Sequence, residues 1–405
     1  MPSPVVVLDI GASKVHCLVG EAVDEVGVKI IGTGLSPCDG IRRTAIIDMP
    51  KMVEAIRTAV REAERSAGLK IVGAYVGVAG EDIETHTHRG AVAISGNSNP
   101  IDENDVQRAL AAAEESSSPP GSATVLHRFV QSYTLDGEPV QNPLWLHGSR
   151  LEVETLSATA PAHACTTLRH AVSQAGVDIA GFILEAVAVG AALLSVDERE
   201  MGVGILDIGA GTSDLSIYRG SLRFLAEIPF GGEDITKDLS VVLNMSPREA
   251  EKLKREEGGV RCPAESADEE VSFSTTAGRP HTLLRHQLSA VIEARQQEIL
   301  EFAAQEIQRT EFGHLITAGM VLTGGGSMLG NLDQLGEEIL GMPVRIGSPQ
   351  GVVALENSDP TFSTAVGLLR FATDQHDSPG SILPSGPDRR GGFFERITRI
   401  FSFLV

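Results

Sequence analysis

The sequence predicts an α/β protein with two core domains of similar topology that flank a cleft, and three observations lead to this prediction. Its 405 residues exceed what a single hydrophobic core usually supports, so two domains are expected. Hydrophobic residues make up 42% of the chain and aromatic residues only 4%, which is typical of cores built from aliphatic side chains. The segment Leu8–Ala12 returns letter for letter at 206–210 as Leu-Asp-Ile-Gly-Ala. Two distant copies of one strand-and-turn unit indicate two domains of the same design.

The first core domain is predicted over residues 1–83 and 161–200. β-Branched runs bounded by glycine predict its strands, which are Val5–Ile10, Val15–Val19, Val28–Thr33, Ile71–Val78 and Gly181–Leu184. Helical spacing of apolar residues predicts a helix from Pro50 to a stop at Gly68, a second over Ala162–Ala175 and a third that Glu185 opens. A dinucleotide-binding fold is excluded, because its first strand would lead directly into a helix.

Residues 84–160 differ in residue pattern from the strands around them and are predicted to form an inserted subdomain. We expect a polar loop around His86 and His88, a helix over Asp102–Glu115, and a break at 116–121, where serine, proline and glycine cluster. Two strands are predicted to follow, Val125–Leu135 and Leu151–Ala160.

The second core domain is predicted over 201–230 and 313–373, with a second insert over 231–312. The predicted elements are helices Ser246–Gly258, Thr282–Arg309 and Met328–Leu340 and strand Val344–Ile346. Residues 374–390 are rich in proline, serine and glycine, so we expect a disordered linker there. A terminal helix is predicted over 391–405.

Charge and composition exclude several classes of protein. A formal net charge of -21 would repel a phosphate backbone, so we expect no nucleic-acid partner. The chain begins without the charged and apolar regions of a signal peptide, and no stretch is long and apolar enough to span a bilayer. We therefore expect a cytoplasmic protein. The cysteines, which we expect to be reduced and buried, have no zinc-site spacing: Cys17, Cys38, Cys165 and Cys262.

The repeated turns are the first candidates for chemistry. Each places an aspartate, Asp9 or Asp207, at the end of a strand and beside backbone N–H groups that can approach phosphate oxygens. Facing each other, the two carboxylates would hold a hydrated Mg²⁺. The residues predicted to cradle the phosphates are Gly11, Ala12, Gly209, Ala210 and Gly211, to which Ser13, Lys14 and Thr212 add two hydroxyl groups and a cation. One such turn alone is most often a plain strand end, but the duplicate favours a shared phosphate site.

A third strand-to-glycine junction, Val321–Ser327, contains Gly324, Gly325 and Gly326, and a ribose or adenine would lie flat against its backbone. Glu251 and Lys254 share one helix face after Gly231-Gly232, and their spacing by itself favours an exposed ion pair. Glu185 opens a helix, and its position by itself favours a carboxylate that stabilises the dipole of that helix. The histidines have no metal-site or triad spacing and are interpreted as surface or core residues.

These residues resemble a known superfamily. The order of phosphate turn, Glu185 helix, second phosphate turn and Gly324–Gly326 resembles the ATPases of actin, sugar kinases and heat-shock chaperones. Within it, Asn142-Pro143 and Gly148–Val153 are similar to the inserted subdomain of FtsA, a bacterial cell-division family. The likeness covers nearly the whole chain and implies an actin-like ATPase fold, with the two core domains flanking a nucleotide cleft and each carrying an insert. One departure from the superfamily is that the segment expected to cover the nucleotide pocket shows only a loose sequence pattern.

The resemblance also implies a function and the roles of several residues. ATP and Mg²⁺ would be the ligands, Gly232, Glu251 and Lys254 would contact adenosine, and Glu185 would orient water for at most slow hydrolysis. The insert over 84–160 would support self-association into filaments. The partners would be FtsZ, later division proteins and the cytoplasmic face of the membrane at the division site.

The end of the chain carries an amphipathic pattern that the resemblance interprets as a membrane-targeting helix. Its apolar face comprises Phe393, Phe394, Ile397, Ile400, Phe401 and Leu404. The segment has more phenylalanine and less positive charge than the family leads us to expect. The alternative is a terminal helix docked on the protein's own core.

Two other functions remain open from the sequence. A phosphotransferase of the sugar-kinase branch would need an aspartate base facing its substrate, and the sequence shows no residue with that placement. An adaptor of pilus assembly similar to PilM would share the core but is expected to lack the linker and terminal helix. The terminal segment therefore distinguishes these possibilities.

Overall fold

A computed structural model describes residues 4–23, 27–80, 82–94, 100–115, 123–353 and 359–377. In these residues the helices are α1 (Met49–Ala67), α2 (Glu103–Glu115), α3 (Ala162–Gln174), α4 (Glu185–Leu193), α5 (Val196–Met201), α6 (Gly232–Val242), α7 (Pro247–Glu257), α8 (Arg285–Arg309), α9 (Leu332–Leu340) and α10 (Ser363–Asp377). The strands are β1 (Val5–Ile10), β2 (Lys14–Val23), β3 (Gly27–Pro37), β4 (Ile41–Arg42), β5 (Ala45–Ile46), β6 (Gly73–Val78), β7 (Glu84–Ala93), β8 (Ala123–Leu135), β9 (Glu138–Val140), β10 (Arg150–Pro161), β11 (Asp178–Leu184), β12 (Val203–Ile208), β13 (Ser213–Arg219), β14 (Ser221–Ile228), β15 (Glu270–Ser274), β16 (Pro280–Leu284), β17 (Met320–Thr323), β18 (Val344–Ile346) and β19 (Val352–Val353).

The two core sheets share one topology, as the repeat predicts. In the first, strands follow the order β11-β6-β1-β2-β3-β19, and in the second the order β14-β13-β12-β17-β18. β1 pairs antiparallel with β2 and parallel with β6, while β12 pairs antiparallel with β13 and parallel with β17. Each repeated turn therefore joins the first two strands of its domain at equivalent places.

Local sequence explains why α1 forms where the pattern predicts it. Asp48 caps its first turn, since its carboxylate accepts a hydrogen bond of 3.1 Å from the Lys51 N–H. Gly68 ends it in the left-handed conformation at φ 68° and donates its N–H to the Glu64 carbonyl. A Cβ on Gly34 would lie 1.9 Å from the Ala59 carbonyl oxygen, so this glycine lets β3 lie directly against the helix.

The first insert is a separate α/β unit with its own core. Its sheet has the order β7-β10-β8-β9, and α2 covers it through a cluster that includes Ile101, Val106, Leu110 and Leu151. The insert also touches both core domains. The Leu184 N–H of the first domain donates to His127 Nε2 at 2.9 Å, and Gln131 Nε2 donates to Ser221 Oγ of the second at 3.1 Å.

The predicted loop around His86 and His88 is wrong. Residues 84–93 form β7, a strand at the edge of the insert sheet that pairs with β10 along its whole length. Polar and partly exposed side chains occupy most of this strand, so its sequence lacks the apolar alternation by which a half-buried strand is recognised. Backbone pairing, and not side-chain burial, specifies it.

Three further boundaries differ from the prediction. Residues 280–284 pair with β15 as β16, so the long helix α8 begins at Arg285 and not at residue 282. Gly325–Met328 is a turn of 3-10 helix, and α9 begins only at Leu332 because Asn331 is left-handed. α10 continues to Asp377, four residues into the predicted linker.

The chain also returns to the first domain, which the sequence did not predict. We placed 313–373 wholly in the second domain, but β19 pairs with β3 of the first sheet. α10 then packs between the domains, so closely that a Cβ on Gly367 would lie 1.9 Å from the Ala188 carbonyl oxygen of α4. The resulting core joins residues of both domains around α4 and α10, among them Val7, Val189, Ile205, Val321 and Leu368.

Candidate functional site

The two repeated turns have the same local geometry. The Gly11 N–H donates to the Lys14 carbonyl at 2.9 Å, and the Gly209 N–H donates to the Thr212 carbonyl at the same distance. The next N–H groups of each turn lie outside the hydrogen bonds formed within the described chain: those of Ala12, Ser13, Ala210 and Gly211. Successive free N–H groups in a tight turn bind anions, so each turn offers a site for phosphate oxygens.

The glycine junction Gly324–Gly326 meets the second turn. β17 runs parallel to β12 with Thr323 beside Asp207, and Gly324 follows at a φ of 79°. A Cβ on Gly324 would lie 2.2 Å from Asp207 Oδ1, so only glycine fits here. Gly326 lies against Ile208, and its carbonyl accepts a hydrogen bond of 3.0 Å from the buried Gln296 amide.

Asp9 and Asp207 are buried carboxylates that affect each other. Burial raises the pKa of Asp9 to about 6, against the opposing charge of Lys14. Burial also raises the pKa of Asp207 to about 6, with the Asp9 charge adding to the rise and a hydrogen bond of 3.2 Å from the Thr364 hydroxyl opposing it. Two such groups bind a divalent cation well, because the cation replaces the proton that each retains.

Carboxylates also lie side by side across the second sheet, where Asp207 of β12 faces Asp214 of β13, which in turn faces Glu227 of β14. Burial and these neighbours raise the pKa of Asp214 well above its usual range. Like charges directly opposite each other destabilise a sheet, so this row is a strained feature of the fold. Asp214 and Glu227 line a pocket whose opposite wall includes Gly80 and Ile83.

Glu185, the first residue of α4, lies beside this row. Burial raises its pKa well above the usual range, and the charges of Asp9, Asp214 and Asp207 raise it further. A Cβ on Gly77 would lie 2.8 Å from Glu185 Oε1, so that glycine makes room for the side chain. A carboxyl group with a raised pKa suits proton transfer near neutral pH, which a mere stabiliser of the helix dipole would not require.

Lys14, predicted as a phosphate-binding cation, is held by the segment before α10. Its Nζ donates to the Thr361 carbonyl at 2.9 Å and lies 5.5 Å from the centre of the Phe362 ring. Ser13 of the same turn accepts a backbone hydrogen bond of 3.0 Å from Cys38, and its side chain is exposed. The lysine therefore joins the first turn to the segment that crosses back from the second domain.

Glu251 and Lys254 are not the exposed ion pair that we weighed as an alternative. The Lys254 side chain is only 12% exposed, and its Nζ contacts Glu251 Oε2 at 2.6 Å and the Gly232 carbonyl at 2.8 Å. Burial opposes ionisation of Glu251, but the Lys254 ammonium brings its pKa down to about 2. The Gly232 N–H in turn donates to the Gly209 carbonyl at 2.9 Å. The pair thus connects α7 to the start of α6, which is hydrogen-bonded to the second turn.

The arrangement fits Mg²⁺ and a nucleoside triphosphate. Two turns present N–H groups, two carboxylates with raised pKa values face the same cleft, and Gly324 leaves no room for a side chain at Asp207 Oδ1. In the part of the chain that the structure describes, no three acidic, histidine or cysteine side chains are grouped to hold a metal by themselves. Phosphate and water oxygens would therefore complete the coordination, as is usual for Mg²⁺.

Sequence reasoning missed several residues of this site: Asp214, Glu227, Thr361, Thr364, and Thr236, whose hydroxyl donates to Glu251 Oε2. A usable signal existed only for Asp214, because the predicted hairpin places it directly opposite Asp207 on the same face of the sheet. The predicted terminal helix lies outside the described residues. Within the described residues, the helices all lack the length or the apolar content needed to cross a membrane.

Family models match the chain in two places. "Cell division protein FtsA" matches residues 204–367, and "SHS2 domain inserted in FTSA" matches residues 80–159. The chain is 34% identical to the cell division protein FtsA of Pseudomonas aeruginosa over 387 residues, which cover 94% of this chain and 92% of that one. It is 34% identical to FtsA of Bacillus subtilis, covering 90% and 82% of the two chains, and 32% identical to that of Escherichia coli, covering 92% and 91%.

Solved structures show the fold. The PilM-PilN type IV pilus biogenesis complex contains a chain that superposes with a TM-score of 0.62 at 17% identity, covering 92% of this chain and 99% of that one. MreB5 of Spiroplasma citri bound to ADP superposes with a TM-score of 0.57 at 14% identity, covering 92% and 97%. The predicted actin-like α/β fold is thus confirmed, and at these identities the likeness to PilM extends to the fold alone.

Proposed function

Since the chain belongs to the FtsA family of cell-division proteins, we propose that it binds Mg²⁺ and ATP between its two core domains, polymerises, and tethers FtsZ to the membrane. The proposal places it on the cytoplasmic face, at the division site. The observation that carries the nucleotide part is the meeting of Asp9, Asp207 and Gly324 at one end of the cleft, with free N–H groups on both turns. FtsZ, the later division proteins and the membrane enter through family membership.

Each residue would have a defined task in nucleotide binding. The N–H groups of both turns would bind the phosphate oxygens, and Asp9 and Asp207 would hold Mg²⁺, which neutralises phosphate charge when bound. Because they have no side chains, Gly324–Gly326 would let the nucleoside lie flat against the backbone. Glu251 and Lys254 would reach adenosine from their position on α7, while their ion pair keeps α6 and the second turn in place.

Hydrolysis is proposed to be slow, with ATP acting as a structural switch. Glu185 would accept a proton from water, because its raised pKa brings it toward the range of a general base. Asp9 and Asp207 are assigned to the cation and would not serve as the base. Because α4 and α10 share one core with residues of both domains, a change at the nucleotide cleft would be transmitted through them to the filament contacts.

The first insert is proposed to mediate self-association. It has its own core and its own four-stranded sheet. The hydrogen bonds of His127 and Gln131 to the two core domains would relay the closure of the cleft to this unit. Its filament contacts would therefore respond to the bound nucleotide.

Titration calorimetry with Mg²⁺ and ATP tests the nucleotide part. Gly324→Val should lose most ATP affinity, because its side chain would occupy the space against Asp207 Oδ1. Gly330→Val is the matched control, since a Cβ on Gly330 meets nothing within 4 Å. If Gly324→Val binds ATP as the parent does, the assignment of the cleft is wrong.

Liposome co-sedimentation tests the membrane part. Phe394→Glu places a charge on the predicted apolar face of the terminal segment and should release the protein from the lipid. Ser402→Glu adds the same charge to the polar face and should retain most binding. Equal binding of both variants would refute the membrane helix and favour a segment docked on the protein's core. FtsZ added to the same liposomes should co-sediment only with the variants that stay bound.

A further inference from the structure

A small hairpin of the first domain lies over the second phosphate turn. β4 and β5 pair through Ile41 and Ile46, whose side chains pack against the core beneath α1. The N–H groups of Ile47 and Asp48 both donate to the Gly40 carbonyl, at 2.9 and 3.1 Å. The two-residue tip, Arg43 and Thr44, is therefore held in place by backbone hydrogen bonds and by two partly buried isoleucines.

The tip contacts the second turn at a point where the first turn lies close by. A Cβ on Gly211 would lie 2.6 Å from Arg43 Cα and 3.4 Å from Ala12 Cβ, so the arginine backbone sits where the two turns meet. On its other side, Thr44 lies 3.6 Å from the place of a Cβ on Gly80. Gly80 lines the pocket that contains Asp214 and Glu227. The hairpin thus overhangs the end of the cleft that holds the acidic row.

Arg43 has two features that a plain hairpin tip does not require. Its φ of 55° is left-handed, a conformation that costs a residue with a Cβ and favours glycine or asparagine. Its side chain is exposed, and in the described part of the chain neither it nor its neighbour Arg42 forms an ion pair. The other cation at the turns, Lys14, is engaged by the Thr361 carbonyl. A guanidinium is thus available where a bound polyphosphate adds negative charge.

We propose that Arg43 binds the terminal phosphate of a nucleoside triphosphate and makes the cleft prefer the triphosphate over the diphosphate. This inference rests on the proposed function. The nucleoside is assigned to Gly324–Gly326 and Lys254, all in the second domain. Arg43 belongs to the first domain, and its neighbour Thr44 lies near Gly80, which lines the pocket of the acidic row. The phosphate within its reach is therefore the one farthest from the nucleoside. An arginine binds two phosphate oxygens at once, which suits it to recognise a terminal group.

Affinities for ATP and ADP, each with Mg²⁺, test the proposal in the full-length chain by titration calorimetry. Arg43→Ala should weaken ATP binding by about tenfold or more, as expected for the loss of a hydrogen bond between charged groups. ADP binding should change by less than about threefold. Arg43→Gly should weaken ATP equally but leave the melting temperature of the nucleotide-free protein unchanged or higher, because glycine prefers this φ.

Arg42→Ala is the matched control, because it removes the same charge from the same hairpin. It should leave the ratio of ATP to ADP affinity within about twofold of the parent's, since the arginine contacting Gly211 is Arg43. The proposal fails if Arg43→Ala keeps the parent's ratio, or if Arg42→Ala shifts it as much. A parent chain that binds neither nucleotide overturns the proposed function as well. Binding of ATP by the parent with no effect of Arg43→Ala overturns this inference alone.

Discussion

The two copies of Leu-Asp-Ile-Gly-Ala have the same backbone but different electrostatic surroundings. Both sit between an antiparallel and a parallel neighbour, and both close with a 2.9 Å hydrogen bond to the turn's last residue. Across the hairpin, however, Asp9 faces His16, a buried imidazole whose Nε2 hydrogen-bonds the Thr33 hydroxyl. Asp207 faces Asp214, and beyond it Glu227. The aspartate of the motif therefore faces a neutral residue across the hairpin in the first domain and acidic residues in the second.

This difference indicates a division of tasks. The first turn contributes Lys14 and a carboxylate with a neutral neighbour, which suits phosphate binding. The second turn is next to a row of carboxylates, which suits holding a cation. Glu185, the candidate for proton transfer, lies near the aspartates of both turns. Burial of several carboxylates lowers stability, and such a cost is common where residues serve a site rather than the fold.

Neutralising either aspartate should have the largest effect on ligand binding. Asp207→Asn and Asp9→Asn should each lower affinity for Mg²⁺ and ATP by roughly 100-fold, because each removes a charge that faces the cation. Asp178→Asn, at an exposed strand position, serves as the control in the same calorimetric titration. If Asp9→Asn binds normally while Asp207→Asn does not, only the second copy holds the cation, and the symmetric assignment is wrong.

The same substitutions should stabilise the nucleotide-free protein, increasingly so as the pH rises. The pKa of Asp207 rises from 3.8 to about 6 on folding, so the folded state retains a proton that the unfolded state loses. The free energy of unfolding that this group contributes therefore falls between about pH 4 and pH 6 and stays low above that range. Relative to the parent, Asp207→Asn should gain about 3 kcal/mol above pH 6 and little at pH 4.

Urea unfolding at several pH values measures this gain as a difference between two chains. The parent must be measured beside Asp207→Asn because His16 and His127 also titrate. Burial lowers the pKa values of both histidines to about 4, so they make the free energy of unfolding rise with pH in both chains. Their contribution cancels. A gain that is independent of pH would mean that the Asp207 carboxyl does not titrate in this range.

Glu185 offers the smallest expected change in binding and a sharper test of the division of tasks. Glu185→Gln should lower ATP turnover by about tenfold or more, because the amide cannot accept a proton. ATP affinity should not fall, since Glu185 is not assigned to the phosphates or the cation. Steady-state phosphate release and calorimetry measure the two effects. Unchanged turnover would remove Glu185 from the mechanism and leave it as a stabiliser of the α4 dipole.

Much of the candidate site follows from short stretches of sequence. A β-branched run, an aspartate and a glycine turn predict both hairpins, because hairpin pairing is local and needs few residues. The third glycine junction was predicted from its sequence as a nucleoside site, whereas its contact with Asp207 is visible only in the register of β17 on β12. In contrast, β7 escaped prediction, since pairing with the distant β10 forms it despite its polar side chains.

The repeat alone was enough to predict two similar domains and the residues of both turns, because a strand, a turn and the conformational freedom of glycine are encoded within a few neighbouring positions. The acidic row, the burial of Lys254, the position of Arg43 over Gly211 and the return of β19 and α10 to the first domain were not predictable in this way. Each depends on residues far apart in the chain, whose contacts form only when the sheets pair and α10 packs between the domains. Charge and burial at the cleft are consequences of that packing.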